Sequence, residues 1–274
     1  MSRARGEHHL VEPRALRDEM AQGDLPLIID VRGPAAYAQG HIASAVNFCT
    51  YDHFALDTRP DGLAAFARDM AARYLTTGIS NLRPVVVYED DTGMRAAREA
   101  WVLQFLGHRD VRMLHGGFSA WRAAGCEVSG LPSDEWTVTF RVRERPEIVI
   151  GCDEIAARLA EKSLTLLDVR DEHEYAGRDR TACCTRRGRI PSSVRVEWTE
   201  FLEGGRYRAP EAIRALLASR GIDTGAEIVP YCHRGARSAS TYYALLHAGI
   251  TRVRNYIGSW HEWSARQDLP IEWG

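Results

Sequence analysis

The feature that most constrains this chain is that it repeats itself. Leu27-Ile-Ile-Asp-Val-Arg32 returns, about 140 residues later, as Leu166-Leu-Asp-Val-Arg170. Gly40-His-Ile-Ala-Ser-Ala-Val46 returns as Gly188-Arg-Ile-Pro-Ser-Ser-Val194, and Val85-Val-Val-Tyr88 as Glu227-Ile-Val-Pro-Tyr231. Gly116-Gly-Phe-Ser-Ala-Trp121 returns as Gly258-Ser-Trp-His-Glu-Trp263. Landmarks that recur in the same order identify a tandem duplication, so the chain must fold as two copies of one architecture. A length of 274 residues suits two domains of ordinary size.

Within each copy, short apolar runs alternate with segments of helical spacing. That is the pattern of an α/β fold with a mostly parallel sheet flanked by helices. Strands are expected near 27–31, 45–48, 84–88 and 111–113, with helices near 62–75 and 94–106. In the second copy strands are expected near 164–168, 194–197, 227–231 and 253–255, with helices near 153–161, 210–219 and 237–248. The expected division is a first domain over 1–130, a linker over 131–147 and a second domain over 148–274. Pro132 and the polar run around it mark the linker, and a strand-like Thr137–Arg143 leads onward.

Composition excludes several classes of function. A net charge of −2 gives no electrostatic reason to bind nucleic acid or an acidic membrane. No apolar run approaches the ~18 residues of a membrane span, and the first residues lack the apolar stretch of a secretory signal. The six cysteines, Cys49, Cys126, Cys152, Cys183, Cys184 and Cys232, show neither disulfide-scaffold nor zinc-site spacing. A reducing cytoplasm fits them best, with no metal and no cofactor expected. Cys183-Cys184 reads as free thiols in an arginine-rich loop, with a redox or resolving pair as the alternative.

Chemistry concentrates at Tyr231-Cys-His-Arg-Gly-Ala-Arg-Ser238. An apolar run precedes it and helical spacing follows it, so Cys232 is expected where a strand gives way to a helix start. Backbone N–H groups converge there and favour an anion, including a thiolate. Arg234, Arg237 and His233 add to that effect. Gly235 allows the turn, and Ser238 is expected as a helix cap, with a bond to the sulfur as the alternative. In the first copy, Glu89-Asp-Asp-Thr-Gly-Met-Arg95 occupies the corresponding stretch and contains no thiol. Asp30, Arg32, Asp168 and Arg170 recur in both copies, with or without the cysteine, which assigns them to structural ion pairs. Trp198, Trp260 and Trp263 are expected in the core.

Cys-x-x-Gly-x-Arg-Ser between a strand and a helix resembles the active-site loop of rhodaneses, which carry sulfur as a cysteine persulfide. The repeated Asp-Val-Arg, Gly-x-Ile and Gly-x-x-x-x-Trp landmarks extend the resemblance from about Val11 to Trp273. The chain is similar to tandem-domain thiosulfate or 3-mercaptopyruvate sulfurtransferases, and its closing Asn255–Trp263 resembles that group's C-terminal motif. The resemblance implies two tandem rhodanese-like domains, the first without a catalytic cysteine and closing one side of the cleft. It implies a persulfide on Cys232, a small-molecule sulfur donor, and a thiophilic acceptor such as cyanide, a thiol or a protein thiol. His233, Arg234, Gly235, Ala236, Arg237 and Ser238 are the implied substrate-binding loop.

One departure bears on the donor. Specialised relatives place a donor-binding arginine after the Asp-x-Arg element, where this chain has Glu174. Arg178, Arg180, Arg186, Arg187 and Arg189 follow in a longer loop, with Arg178 and Arg189 the leading replacements. The cysteine loop also lacks the Gly-Ser-Gly-Val-Thr of mercaptopyruvate enzymes, which favours thiosulfate. Phosphatases of related fold place one more residue between Cys and Arg than the His233–Ala236 stretch supplies, so a single sulfur fits better than a phosphate. A non-catalytic binding module is the remaining alternative, and sulfur relay to a protein acceptor would use the same persulfide.

Overall fold

The computed structural model describes residues 9–273 except Asp24, Thr76, Pro132, 134–139, Lys162 and 179–182. Pro132, Arg180 and the start of the strand-like Thr137–Arg143 therefore lie outside the described residues. The described remainder of that stretch, from Phe140, forms no strand. The chain divides into two compact units: residues up to 53 with 67–145 and 204–207, and residues 54–66 with 146–203 and 208–274.

The first half of the chain runs β1 (Leu10–Val11), α1 (Pro13–Ala21), β2 (Leu27–Asp30), α2 (Pro34–Ala38), β3 (Val46–Asn47), α3 (Pro60–Tyr74), β4 (Val85–Tyr88), α4 (Met94–Phe105), β5 (Val111–Leu114) and α5 (Gly117–Ala123). Its sheet is parallel throughout, in the order β1-β5-β4-β2-β3. β2 and β4 are buried at every position, as expected for strands covered on both faces. Ile28, Val86, Tyr88, Phe118 and Trp121 close one core beneath the sheet.

The second half runs α6 (Cys152–Ala157), β6 (Leu164–Asp168), α7 (Glu172–Tyr175), β7 (Val194–Arg195), β8 (Leu202–Glu203), β9 (Arg206–Tyr207), α8 (Pro210–Ser219), β10 (Glu227–Tyr231), α9 (Ala236–His247) and α10 (Ser259–Ala265). β10, β6 and β7 form a parallel sheet. Single parallel bridges from Ile228 to Val253 and from Val149 to Asn255 continue the strand order of the first copy. The core repeats as well: Leu166, Val229, Tyr231, Trp260 and Trp263 stand where Ile28, Val86, Tyr88, Phe118 and Trp121 stand in the first.

The strand expected over 253–255 is reduced to these bridges. Pro230 occupies the position that Val87 holds in β4, and proline has no N–H to donate to the neighbouring chain. Ile228 still donates to the Arg252 carbonyl at 2.9 Å and Tyr256 to that of Pro230 at 3.2 Å. The ladder thus loses a rung from its middle.

The duplicated motifs hold each copy together in the same way. Arg32 binds Asp30 through Nε at 2.9 Å and Nη2 at 2.6 Å, and reaches the Gly40 carbonyl at 2.8 Å. Arg170 binds Asp168 at 2.9 and 2.5 Å and reaches the Gly188 carbonyl at 2.9 Å. The tyrosine that closes the next strand, Tyr88 or Tyr231, donates its hydroxyl to the same aspartate at 2.6 Å. That hydroxyl accepts the N–H of Ile42 or Ile190. These groups are buried and fully paired, the condition under which internal charge is tolerated. The Asp-x-Arg, Gly-x-Ile and strand-end Tyr landmarks are one hydrogen-bonded knot, so they recur together.

Candidate active site

β10 ends at Tyr231 and α9 begins at Ala236, so Cys232 to Gly235 form the connection between a buried strand and a helix start. Cys232 is 1% exposed. Its sulfur accepts the Gly235 N–H at 3.1 Å and lies 3.8 Å from the hydroxyls of both Ser238 and Ser259. Gly235 has φ +86°, and a Cβ there would stand 2.5 Å from Ile257 Cδ1 and 2.6 Å from the Ile257 carbonyl oxygen. Only glycine fits this turn, in conformation and in space.

Ser238 departs from the expected role. Gly235 is the N-cap residue of α9, and Ser238 lies inside the first turn, fully buried with its hydroxyl toward the sulfur. A helix that begins immediately after a left-handed glycine leaves position 238 too deep to cap it.

The loop is clamped from the side by α10. Trp260 and His261 donate their N–H groups to the carbonyls of Cys232 and His233 at 2.9 and 3.0 Å. Ser259 accepts the Cys232 N–H at 3.1 Å and donates to the Tyr256 carbonyl at 2.8 Å. Ser259 has φ +55°, left-handed for a residue with a Cβ. The matching position in the first copy is Gly117, at φ +57°. Ser259 thus carries a left-handed strain that glycine avoids in the duplicate, and sets its hydroxyl beside the cysteine. Sequence reasoning missed Ser259, although the Gly117–Ser259 mismatch between the copies was its signal. Glu262 fixes α10 by accepting the Thr58 N–H and hydroxyl, each at 2.7 Å.

The charged residues are spent differently from expectation. Arg237 forms a two-pronged ion pair with Glu174, at 2.5 and 2.8 Å. Burial works against both charges, but each partner outweighs it, raising the Arg237 pKa and lowering that of Glu174. Glu174 also completes a capping box with Asp171 at the start of α7. Arg234 lays its guanidinium 4.1 Å from the centre of the Phe54 ring. Arg189 stacks on Tyr175 at 4.5 Å and meets the Glu272 carboxylate at 3.4 Å. Arg178 is exposed, and Arg186 donates to the carbonyls of Trp263, Ser264, Arg266 and Leu269. Thus His233–Ser238 gather around the cysteine, whereas Arg186 and Arg189 are bound to the C-terminal segment.

His233 is half-buried, and its pKa is pushed down to about 4 by burial and by Arg234, Arg237, His261 and Arg170. The imidazole is neutral at pH 7. As pH falls, the unfolded chain takes up this proton near the ordinary value of 6.5, the folded protein only near 4. Folding stability contributed by the neutral ring is therefore present above pH 6.5 and is lost as pH falls from 6.5 toward 4. His233→Gln is expected to flatten the acid-side fall in melting temperature over this window in a chelating buffer. A profile that superimposes on the parent's would contradict the assignment.

In the first copy, Glu89 stands where Cys232 stands in the second. One of its carboxylate oxygens accepts the N–H groups of Arg95 and Ala96 at the start of α4, each at 2.9 Å. The duplicated helix start holds a side-chain carboxylate there. In the second copy the shorter cysteine side chain instead accepts the Gly235 N–H, just before the helix start.

Both halves of the chain match the family model for the rhodanese-like domain, over residues 12–124 and 152–266. A thiosulfate sulfurtransferase of Azotobacter vinelandii is 31% identical over 267 residues, covering 96% of each chain. A 3-mercaptopyruvate sulfurtransferase of Escherichia coli (strain K12) is 28% identical, covering 86% of this chain and 84% of its own. Among solved structures, an anaerobic ergothioneine biosynthesis enzyme from Chlorobium limicola superimposes with a TM-score of 0.84 at 23% identity. It is matched over 100% of this chain and 72% of its own, a likeness of fold. With both repeats matched, the chain belongs to the rhodanese family and is built from two tandem rhodanese-like domains.

Proposed function

We propose that the chain is a sulfurtransferase in which Cys232 carries sulfur as a persulfide from thiosulfate, or 3-mercaptopyruvate, to cyanide or a thiol. The observation that carries this reading is the Cys232 sulfur at the start of α9, held by the Gly235 N–H with two hydroxyls 3.8 Å away. The names of the relatives support the donor class. The first copy, with Glu89 in place of the cysteine, is the non-catalytic domain.

In this mechanism the Cys232 thiolate attacks the outer sulfur of thiosulfate. A sulfur–sulfur bond forms to Cys232 as the donor's own breaks, and sulfite leaves with the bonding pair. Cyanide then attacks the terminal sulfur, giving thiocyanate and restoring the thiolate. No net oxidant or reductant is consumed. Gly235 N–H and the hydroxyls of Ser238 and Ser259 stabilise negative charge on sulfur in both states. His233, Arg234, Ala236 and Arg237, on the loop and first turn of α9, line the approach.

Thiocyanate formation tests this directly, with thiosulfate and 3-mercaptopyruvate compared at equal concentration. Turnover with thiosulfate in excess of mercaptopyruvate is the expected result; no turnover with either donor would overturn the reading.

Glu174 tunes the donor in this reading, because its carboxylate neutralises the loop's own Arg237. Glu174→Gln keeps the capping-box shape and frees the guanidinium. We expect kcat/KM for thiosulfate to rise about 3- to 10-fold, with most of the change in KM. An unchanged or higher KM would show that Arg237 does not face the donor.

A further inference from the structure

Among the described residues outside the reacting sulfur, one group combines soft ligand atoms closely enough to share an ion. Cys183 and Cys184 lie in the stretch between α7 and β7, and His233 follows Cys232 directly. Their ligand atoms all lie within 4.8 Å of one another, and His233 Nε2 is 3.1 Å from Cys183 Sγ. A tetrahedral zinc ion, with Zn–S about 2.3 Å and Zn–N about 2.0 Å, requires sulfur atoms about 3.8 Å apart and sulfur to nitrogen about 3.5 Å. The 3.1 Å separation and the 4.8 Å bound both lie within about 1.3 Å of those values.

Three further features favour a cation of this class. Cys183 is exposed, so an ion can enter from solvent. The His261 ring lies 6.2 Å from that of His233, and its buried Nδ1 has no hydrogen-bond partner among the described residues. A second imidazole with an unpartnered nitrogen thus neighbours His233, outside the three-residue group. Two thiolates and a divalent ion also sum to zero, which suits a neighbourhood already crowded by Arg234 and Arg237.

We propose that Cys183, Cys184 and His233 form a binding site for a thiophilic cation, with Zn2+ the fitting ion, at the rim of the cysteine loop. Two thiolates and an imidazole select zinc over calcium or magnesium and leave a tetrahedral ion one open position. Binding converts both thiols to thiolates, and their protons pass to the buffer. The bound ion ties His233, the neighbour of Cys232, to the segment after α7. Positions 183, 184 and 233 match no sequence spacing for a metal site, because the fold, and not the chain order, brings the histidine to the cysteines.

The test uses the full chain, stripped with chelator, and calorimetric titration with Zn2+. The parent and Cys232→Ser should each bind one equivalent with a Kd at or below about 1 µM. Cys183→Ser/Cys184→Ser should bind at least about 100-fold more weakly. Co2+ added to the parent and to Cys232→Ser should give a thiolate-to-cobalt charge-transfer band in both, which keeps the test open if the double variant misfolds. No binding by the parent would overturn the proposal. So would affinity lost in Cys232→Ser and retained in the double variant, which would put the ion on the nucleophile. Because the readout is binding, the result is independent of sulfur transfer.

Discussion

Cys232→Ser lowers thiocyanate formation from thiosulfate by at least about 1,000-fold, while the protein keeps its fold. Serine is close to cysteine in shape, and its oxygen can accept the Gly235 N–H that the sulfur accepts at 3.1 Å. A buried donor is therefore not left unpaired, and the expected change in stability is within about 1 kcal/mol. What is lost is the nucleophile, since a serine hydroxyl is far less acidic than a thiol and, among the described residues, no base is hydrogen-bonded to the Cys232 side chain. Steady-state rates beside thermal melts separate the two effects. A variant with more than about a tenth of parent activity and an intact melt would move the chemistry away from Cys232.

Gly235→Ala acts on the same loop through the backbone. The left-handed conformation costs a residue with a Cβ about 1–2 kcal/mol. The methyl group would also meet the Ile257 carbonyl at 2.6 Å, and backbone cannot move aside as a side-chain tip can. Together these should destabilise the second unit by about 2–4 kcal/mol. Activity should fall with it, because the Gly235 N–H is displaced from the sulfur. Gly125→Ala is the matched control: φ is +70°, but nothing lies within 4 Å of the added carbon. It should show the conformational cost of about 1–2 kcal/mol and no loss of turnover. Equal destabilisation by both substitutions would mean that the contact with Ile257 contributes nothing.

The architecture was readable because duplication displayed each landmark twice. Asp30 and Arg32 returned as Asp168 and Arg170 in a copy that differs at the cysteine, which separated scaffold from chemistry before any geometry was known. The buried strands were readable from continuous apolar runs such as Leu27–Ile29. The short elements β1, α2 and α7 were not, because a strand of 2 residues or a helix of 5 or 4 has no measurable period. The strand expected at 253–255 failed on a non-local cause, the missing N–H of Pro230 on its neighbour.

The site was readable along the chain and opaque across it. Cys232 to Ser238 announce themselves as one contiguous motif. The partners that set the character of that motif lie far away in sequence: Glu174 on Arg237, Ser259 against Cys232, Cys183 against His233. Along the chain Glu174 reads as a missing arginine; that it pairs with the loop's own cation follows only from the fold. Arg189 reads as a free cation in an arginine-rich loop, yet it is held on Tyr175 and Glu272.

The most direct test of the account is the mass of the protein after brief exposure to thiosulfate without acceptor, followed by mapping of the modified peptide. A gain equal to one sulfur atom is expected on the peptide that contains Cys232, removed by cyanide with release of thiocyanate. An unmodified Cys232, or the added sulfur on Cys183 or Cys184 with Cys232 bare, would contradict it.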